Sequence, residues 1–363
     1  DDETYERYNN MTGELKHKIL DSITQNEDEE YCFKLCDGKC PMLDDNGLCE
    51  IHKNLGEDYL GVVCKQFPRY SEYYGTIKES GIGLACEEAA RIILSENRPF
   101  SMETAACDEE YEPSSEYDSS FALQIFAARE AVFKILAKES LSIHEKLIVI
   151  LDMGSKIQQC INTDEYDNIK SVVNDYLKEG IAHTLDETRN LSDSGQFEDI
   201  SLQQGIRQIL YPYEEMEVLN PEWEVILKDI IDSLFEQMSD EEYNILNEEF
   251  GTYMVSRAYE YRQLLEYLVF RYFAKSIYDY DFLGKCQMLV TNFFVIRQMD
   301  IIRWLDNHRE YSFKDRMDVV HIFSRQVEYS EDNIENLYED FIFDDIFKTD
   351  SLIAILWIDS ENI

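Results

Sequence analysis

The chain has little that breaks a backbone. Its 363 residues include 14 glycines and 6 prolines, and so little punctuation between long amphipathic runs points to helices. Basic residues are also scarce, 33 Lys and Arg against 75 Asp and Glu, for a formal charge of −42. That balance argues against a nucleic-acid surface, which needs clustered Lys and Arg to neutralise phosphate, and against attraction to anionic lipid. It leaves solubility, or a basic, lysine-presenting partner. No apolar run reaches the roughly 18 residues that span a bilayer, so no membrane insertion is expected. No charged-then-apolar signal segment opens the chain. It begins Asp1-Asp2-Glu3-Thr4 without an initiator Met, so part of the natural N-terminus is expected to lie outside it. The cysteines are odd in number and unevenly spaced, which favours a reduced, cytoplasmic compartment over a disulfide framework. A Gly-rich strand-to-helix loop of the Rossmann kind is missing. So are a His-x3-His pair and any Gly-x-Ser-x-Gly arrangement for hydrolase chemistry.

What is present is helical period. A length of 363 residues allows two or three domains, and 44% hydrophobic residues are enough for a core. Residues 1–30 read as one helix, with Tyr5, Tyr8, Met11, Leu15, Ile19 and Ile23 at helical spacing. Residues 31–86 are loop-rich. Residues 101–120, acidic and Ser-rich around Glu112-Pro113-Ser114-Ser115, read as a linker. From Phe121 onward the period is near 3.6, and Asn220-Pro221 is an N-cap followed by Pro at the first helical position. The run Leu289 to Leu305 is apolar on most faces and should be buried. Helices are expected over Phe313 to Val327 and again from Asn333. No segment alternates with period two. The expected fold is mainly α and non-Rossmann: an N-terminal helix plus a cysteine-rich, loop-rich metal-binding region over 1–115, and a helical domain over 116–363.

Six of the nine cysteines fall within 55 residues: Cys32, Cys36, Cys40, Cys49, Cys64 and Cys86. Thiolates gathered in loops suit zinc or an iron–sulfur cluster. Cys32-x3-Cys36-x3-Cys40 has three residues in its second gap, where the radical S-adenosylmethionine signature has two. Cys32 and Cys36 read equally well as ordinary buried cysteines. Cys40, Cys49, Cys64 and Cys86 are the candidate metal ligands, and are expected to converge.

Around these cysteines the sequence resembles the flagellin lysine N-methylase family. The matching text is Gly38-Lys39-Cys40-Pro41-Met42-Leu43, Asn46-Gly47-Leu48-Cys49-Glu50-Ile51-His52, Leu55-Gly56-Glu57-Asp58-Tyr59-Leu60, Cys64-Lys65-Gln66-Phe67-Pro68-Arg69 and Cys86-Glu87-Glu88-Ala89-Ala90-Arg91. A second match is Ser324-Arg325-Gln326-Val327-Glu328-Tyr329-Ser330, then Asn333. Tyr329 stands where family members often carry His. The family also carries a compact cysteine cluster, with an adjacent Cys pair, upstream of the region aligned with Asp1. The resemblance implies methyl transfer from S-adenosylmethionine to lysine side chains of flagellin. It also implies an iron–sulfur cluster or other metal near the N-terminus.

Lysine methylation needs a neutral amine, an aligned sulfonium and a water-poor channel. The candidate cofactor-binding residues are Arg262, Tyr267, Arg271, Arg325 and Glu328. An Arg can clamp the cofactor carboxylate, a carboxylate can accept from ribose hydroxyls, and an aromatic face suits the sulfonium. Arg262 and Arg271 bracket an aromatic run, while Arg325 and Glu328 belong to the second family match. The bland reading is ion pairing, with Arg325 and Glu328 three apart on a helix face. The pocket is expected between the helical body and the cysteine region. The competing function is a non-catalytic, metal-stapled interaction module that binds a secretion substrate.

Overall fold

The computed structural model describes residues 1–26, 30–36, 38–95, 97–106, 118–193 and 200–361. It has two compact units, Asp1–Tyr70 and Ser71–Ile363. The boundary expected at 115/116, residues 107–117 of the expected linker and Cys107 lie outside the described residues; the linker's expected last residues, Ser119 and Ser120, belong to a helix capped by Asp118.

The first unit opens with α1 (Asp2–Asn10), capped by the Asp1 carboxylate, which accepts from the Thr4 amide at 2.8 Å. The single helix expected over 1–30 is instead two helices and a strand. Gly13, at φ 113°, separates α1 from α2 (Glu14–Asp21); side chains with a Cβ rarely adopt that angle. The apolar spacing runs through the break because both helices feed one small core of Tyr8, Ile19, Met42 and Ile51. Strand β1 (Ile23–Gln25) then pairs antiparallel with β2 (Tyr31–Phe33), Ile23 opposite Phe33. Two short helices follow, α3 (Glu50–Leu55) and α4 (Val62–Gln66).

Strands β3 (Arg69–Tyr74) and β4 (Ile77–Ile82) pair as a hairpin, turning at Gly75 with φ 60°. Helix α5 (Glu87–Leu94) begins immediately after Cys86. From residue 119 the described residues form helices and no strand, as the 3.6 period requires: α6 (Ser119–Leu136), α7 (Ile143–Asn162), α8 (Ile169–Asp175), α9 (Ile181–Asp193), α10 (Leu202–Glu214), α11 (Pro221–Ile230), α12 (Asp240–Met254), α13 (Ala258–Tyr272), α14 (Ser276–Asp279), α15 (Phe282–Asp306), α16 (Phe313–Val327), α17 (Glu331–Phe343) and α18 (Thr349–Glu361). Helices α7, α12 and α16 start with reciprocal capping boxes, Ser142 with Glu145, Ser239 with Glu242 and Ser312 with Asp315, which satisfy otherwise orphaned amides. Asn220 caps α11 ahead of Pro221, as its sequence predicts.

Helix α15 is the axis of the second unit. Its residues from Leu289 to Ile302 are all buried, and α7, α10, α11, α13, α16, α17 and α18 pack around it. The approach to α7 is close: a Cβ on Gly154 would lie 2.5 Å from Cys286 Sγ. Two polar clusters are buried with α15. The Asp300 carboxylate accepts from Tyr261 Oη at 2.6 Å, from Arg316 Nη1 at 2.6 Å and from Tyr311. Glu260 ties Arg316 to Arg257, at 3.1 and 2.7 Å. In the other, Asp359 bonds His144 Nε2 at 2.6 Å and accepts from Asn247, with Arg297 Nε 3.9 Å away. Such pairs tolerate burial because almost every polar atom has a partner.

Candidate functional site

The motif Ser324 to Asn333 runs from the last turn of α16 into the first turn of α17, and its side chains divide into two duties. Gln326 and Asn333 are fully buried and grip the backbone ahead of α11. Gln326 Oε1 accepts from the Leu219 and Asn220 amides at 3.0 and 3.2 Å, and its Nε2 donates to Glu217 O at 2.5 Å. Asn333 Oδ1 accepts from Glu217 N at 2.8 Å, and its Nδ2 donates to Glu217 O at 3.0 Å and Gln326 O at 3.1 Å. These two residues are scaffold.

Glu328 has the other duty. It caps α16, and its side chain is 0% exposed. The surface pair with Arg325 does not form; Glu328 turns inward onto α13. There Oε2 meets Tyr267 Oη at 2.7 Å, Tyr272 Oη at 3.2 Å and Arg271 Nη1 at 3.0 Å. Arg271 also donates to Tyr267 Oη at 2.7 Å, and the Leu84 amide approaches the same oxygen at 3.4 Å. The second carboxylate oxygen, Oε1, is buried without a hydrogen-bond partner. Aromatic rings surround the charge pair: the Arg271 guanidinium lies 5.5 Å from the Tyr272 ring, 5.7 Å from Tyr329 and 6.0 Å from Tyr267. Burial, and then the Glu328 charge, push the Tyr272 hydroxyl far above its ordinary range, so it stays a proton donor. Burial also raises the Tyr329 hydroxyl; Arg271 opposes this, while Glu328 and Cys86 add to it. Cys86 is thus a neighbour of Tyr329 in the second unit.

Three of the five expected cofactor residues, Tyr267, Arg271 and Glu328, therefore form one cluster, joined by Tyr272. Arg262 does not join them. Its guanidinium is held by Glu266 at 2.8 and 3.0 Å and by Asn97 at 2.8 Å. Burial raises the Glu266 carboxyl against the opposing effect of Arg262, and lowers Lys146 alongside it. This is the ion pair of the bland reading. Arg325 is exposed, one turn from His321 on α16. Burial and then Arg325 lower the His321 imidazole, whose Nδ1 is buried without a partner. A separate cavity of about 640 Å³ is lined by 76–80, 100–106 and Phe270.

Of the cysteines, Cys40, Cys49 and Cys64 share a neighbourhood in the first unit. Burial and then the Cys40 and Cys49 thiols raise Cys64. Burial and the same thiols hold the Tyr8 hydroxyl at about 12. Cys32 and Cys36 are exposed, so the alternative reading of them as ordinary buried cysteines does not hold. Among the described residues, no three His, Cys, Asp or Glu side chains are placed to hold a metal ion as they stand.

The class defined by these features is a mainly helical, non-Rossmann protein with a buried tyrosine–carboxylate–arginine cluster. A family model described as the FliB lysine N-methylase C-terminal domain matches residues 129–355, a span that holds the whole of α13 and α16. The chain belongs to the FliB lysine N-methylase family. It is 37% identical over 59 residues to the flagellar biosynthetic protein FliU of Salmonella muenchen, covering 16% of this chain and 35% of that protein. The same identity and length relate it to the lysine-N-methylases of Salmonella typhimurium and Salmonella choleraesuis, at 16% of this chain and 15% of theirs. The aligned stretch is thus well under two thirds of each relative. No solved structure matches. Among the described residues, no helix is long and apolar enough to cross a membrane.

Proposed function

We propose that this chain is a cytoplasmic, S-adenosylmethionine-dependent methyltransferase acting on lysine side chains of flagellin. The observation that supports this reading most is Glu328: a family-motif carboxylate, buried among tyrosines and an arginine, with one oxygen unpartnered. In a structural ion pair most buried polar atoms have a partner. S-adenosylmethionine, when bound, supplies an electrophilic methyl group on a sulfonium. The residues fit it in kind. Arg325 is exposed in the last turn of α16 and suits a carboxylate. The faces of Tyr267, Tyr272 and Tyr329 suit a cation, and His321 Nδ1 is a buried polar atom with no internal partner. Arg271 and the two tyrosine hydroxyls fix the Glu328 carboxylate before any ligand arrives, which is preorganisation.

The test is calorimetry with S-adenosylmethionine, followed by a methyl-transfer assay on purified flagellin. Binding with transfer supports the enzyme. Neither binding nor transfer by folded, anaerobically purified protein sinks it and leaves the interaction module. We also propose that Cys40, Cys49 and Cys64 donate thiolates to an iron–sulfur cluster, or to zinc, in the first unit. The mutual effect of the three thiols supports this, although as they stand they must draw together to share an ion, and thiolate is the donor both groups take. Metal and sulfide analysis of the anaerobic protein decides it. Metal content that is unchanged when all three are replaced by Ser would refute it.

A further inference from the structure

We infer that Glu328 Oε1 receives the ε-amine of the substrate lysine and is the residue that orients it. This rests on the lysine methyltransferase reading above.

The asymmetry of the carboxylate carries the argument. Oε2 is contacted by Tyr267, Tyr272 and Arg271, all from α13. Oε1 has no partner, although the side chain is wholly buried. An acceptor left unsatisfied inside a protein costs about 1–3 kcal/mol, more when charged. A group brought from outside that donates a hydrogen bond to Oε1 would remove that cost. Two such donors exist in the reading: a lysine amine and a ribose hydroxyl.

The surroundings favour the amine. Three tyrosine rings already stand within 6.0 Å of the Arg271 guanidinium, so the walls accommodate cationic nitrogen, the state of a methylated lysine. Lysine nitrogen arrives on a slim aliphatic stem that such walls can cover. A ribose diol brings further oxygen lone pairs, and these would need donors of their own. The charge balance is also apt. Arg271 sits 3.0 Å from Glu328 and largely cancels it, so an entering ammonium gains little Coulomb attraction. Burial then works against the charged form. The site therefore takes the neutral amine, the form with a lone pair to give, and one N–H···Oε1 bond fixes where that lone pair points. Tyr329, 46% exposed, holds its ring 5.7 Å from the Arg271 guanidinium.

The experiment compares wild type with Glu328→Gln and Glu328→Asp, reading KM for flagellin, kcat, and S-adenosylmethionine affinity by calorimetry. Losing a hydrogen bond to a charged acceptor should raise KM for flagellin about 10- to 100-fold in Glu328→Gln. Cofactor affinity should stay within about twofold, and Glu328→Asp should recover part of KM. Weakened cofactor binding with unchanged KM would assign Oε1 to the ribose and overturn the inference. Unchanged values of both would remove Glu328 from the site. If Glu328→Gln does not fold, butylamine serves as a lysine-side-chain probe on wild type. Inhibition competitive with flagellin supports the inference, whereas no inhibition, or competition with S-adenosylmethionine, overturns it. A wild type that binds cofactor but methylates no lysine would refute the underlying reading, a result distinct from any of these.

Discussion

Replacing Asn333 by Ala tests whether the C-terminal motif has two separate duties. Asn333 makes three buried hydrogen bonds through its amide, one from Glu217 N and two to the carbonyls of Glu217 and Gln326. Each is worth about 1 kcal/mol net. Gln326 still donates to Glu217 O, so that carbonyl keeps a partner, whereas Glu217 N and Gln326 O lose theirs. The expected loss is about 3 kcal/mol of unfolding free energy, read from urea denaturation. Cofactor affinity of the remaining folded protein should be unchanged, because Asn333 touches backbone only. Asn333→Asp adds a pH signature. One oxygen would face two carbonyls and must carry a proton to bond them, so its folded-state pKa rises above the usual ~3.9. The folded state then binds the extra proton more tightly, and stability falls as pH rises through that raised pKa. A loss below about 1 kcal/mol for Asn333→Ala, against the ~3 expected, would refute the scaffold assignment. So would lost cofactor binding in fully folded protein.

Gly154→Ala should destabilise by about 1–3 kcal/mol through overpacking at α7 and α15, and adding Cys286→Ala should restore more than half, since the sulfur 2.5 Å from the new Cβ is then gone; no recovery in urea midpoints would contradict the contact. Arg316→Ala should cost about 3–5 kcal/mol by stranding Asp300 in the core, and a loss under about 1 kcal/mol would show that Tyr261 and Tyr311 suffice. Burial works to raise the Asp359 carboxyl, but Arg297, His144 and hydrogen bonds from His144 and Asn247 outweigh it and hold it at about 2, below its usual 3.8. That depressed value gives about 2 kcal/mol of stability, complete above pH ~4 and lost as pH falls through 2. Asp359→Asn should flatten that part of an acid titration, and an unaltered acid limb would refute it.

The helical body was legible because its apolar residues keep one period over long stretches. Leu289 to Leu305 is apolar nearly all round, and a helix of that kind has no face to give to water; it became the axis. The break at Gly13 was illegible from spacing, since both halves of residues 1–30 bury toward the same core and the period carries across the turn. Arg262 illustrates a signal that was present and outweighed. Glu266 lies four residues on, the nearest place for an opposite charge on a helix, and that local pair forms.

Glu328 is the converse case. Its near neighbour Arg325 was the local partner on offer, yet the helix ends at Glu328, and the carboxylate leaves that face for groups 56 and 61 residues away in sequence. Spacing reports the partners a helix can give itself: it offered Arg262–Glu266, a pair the sequence reading passed over and the structure forms, and it suggested Arg325–Glu328 by the same rule. It is silent on which carboxylate the fold will bury. Burial of a charge is unfavourable unless paired, and the pairing here reaches only one of two oxygens. A buried acceptor left unpaired is where a donated hydrogen bond gains most, and that physical oddity, more than the count of tyrosines around it, marks Glu328 as the residue to change first.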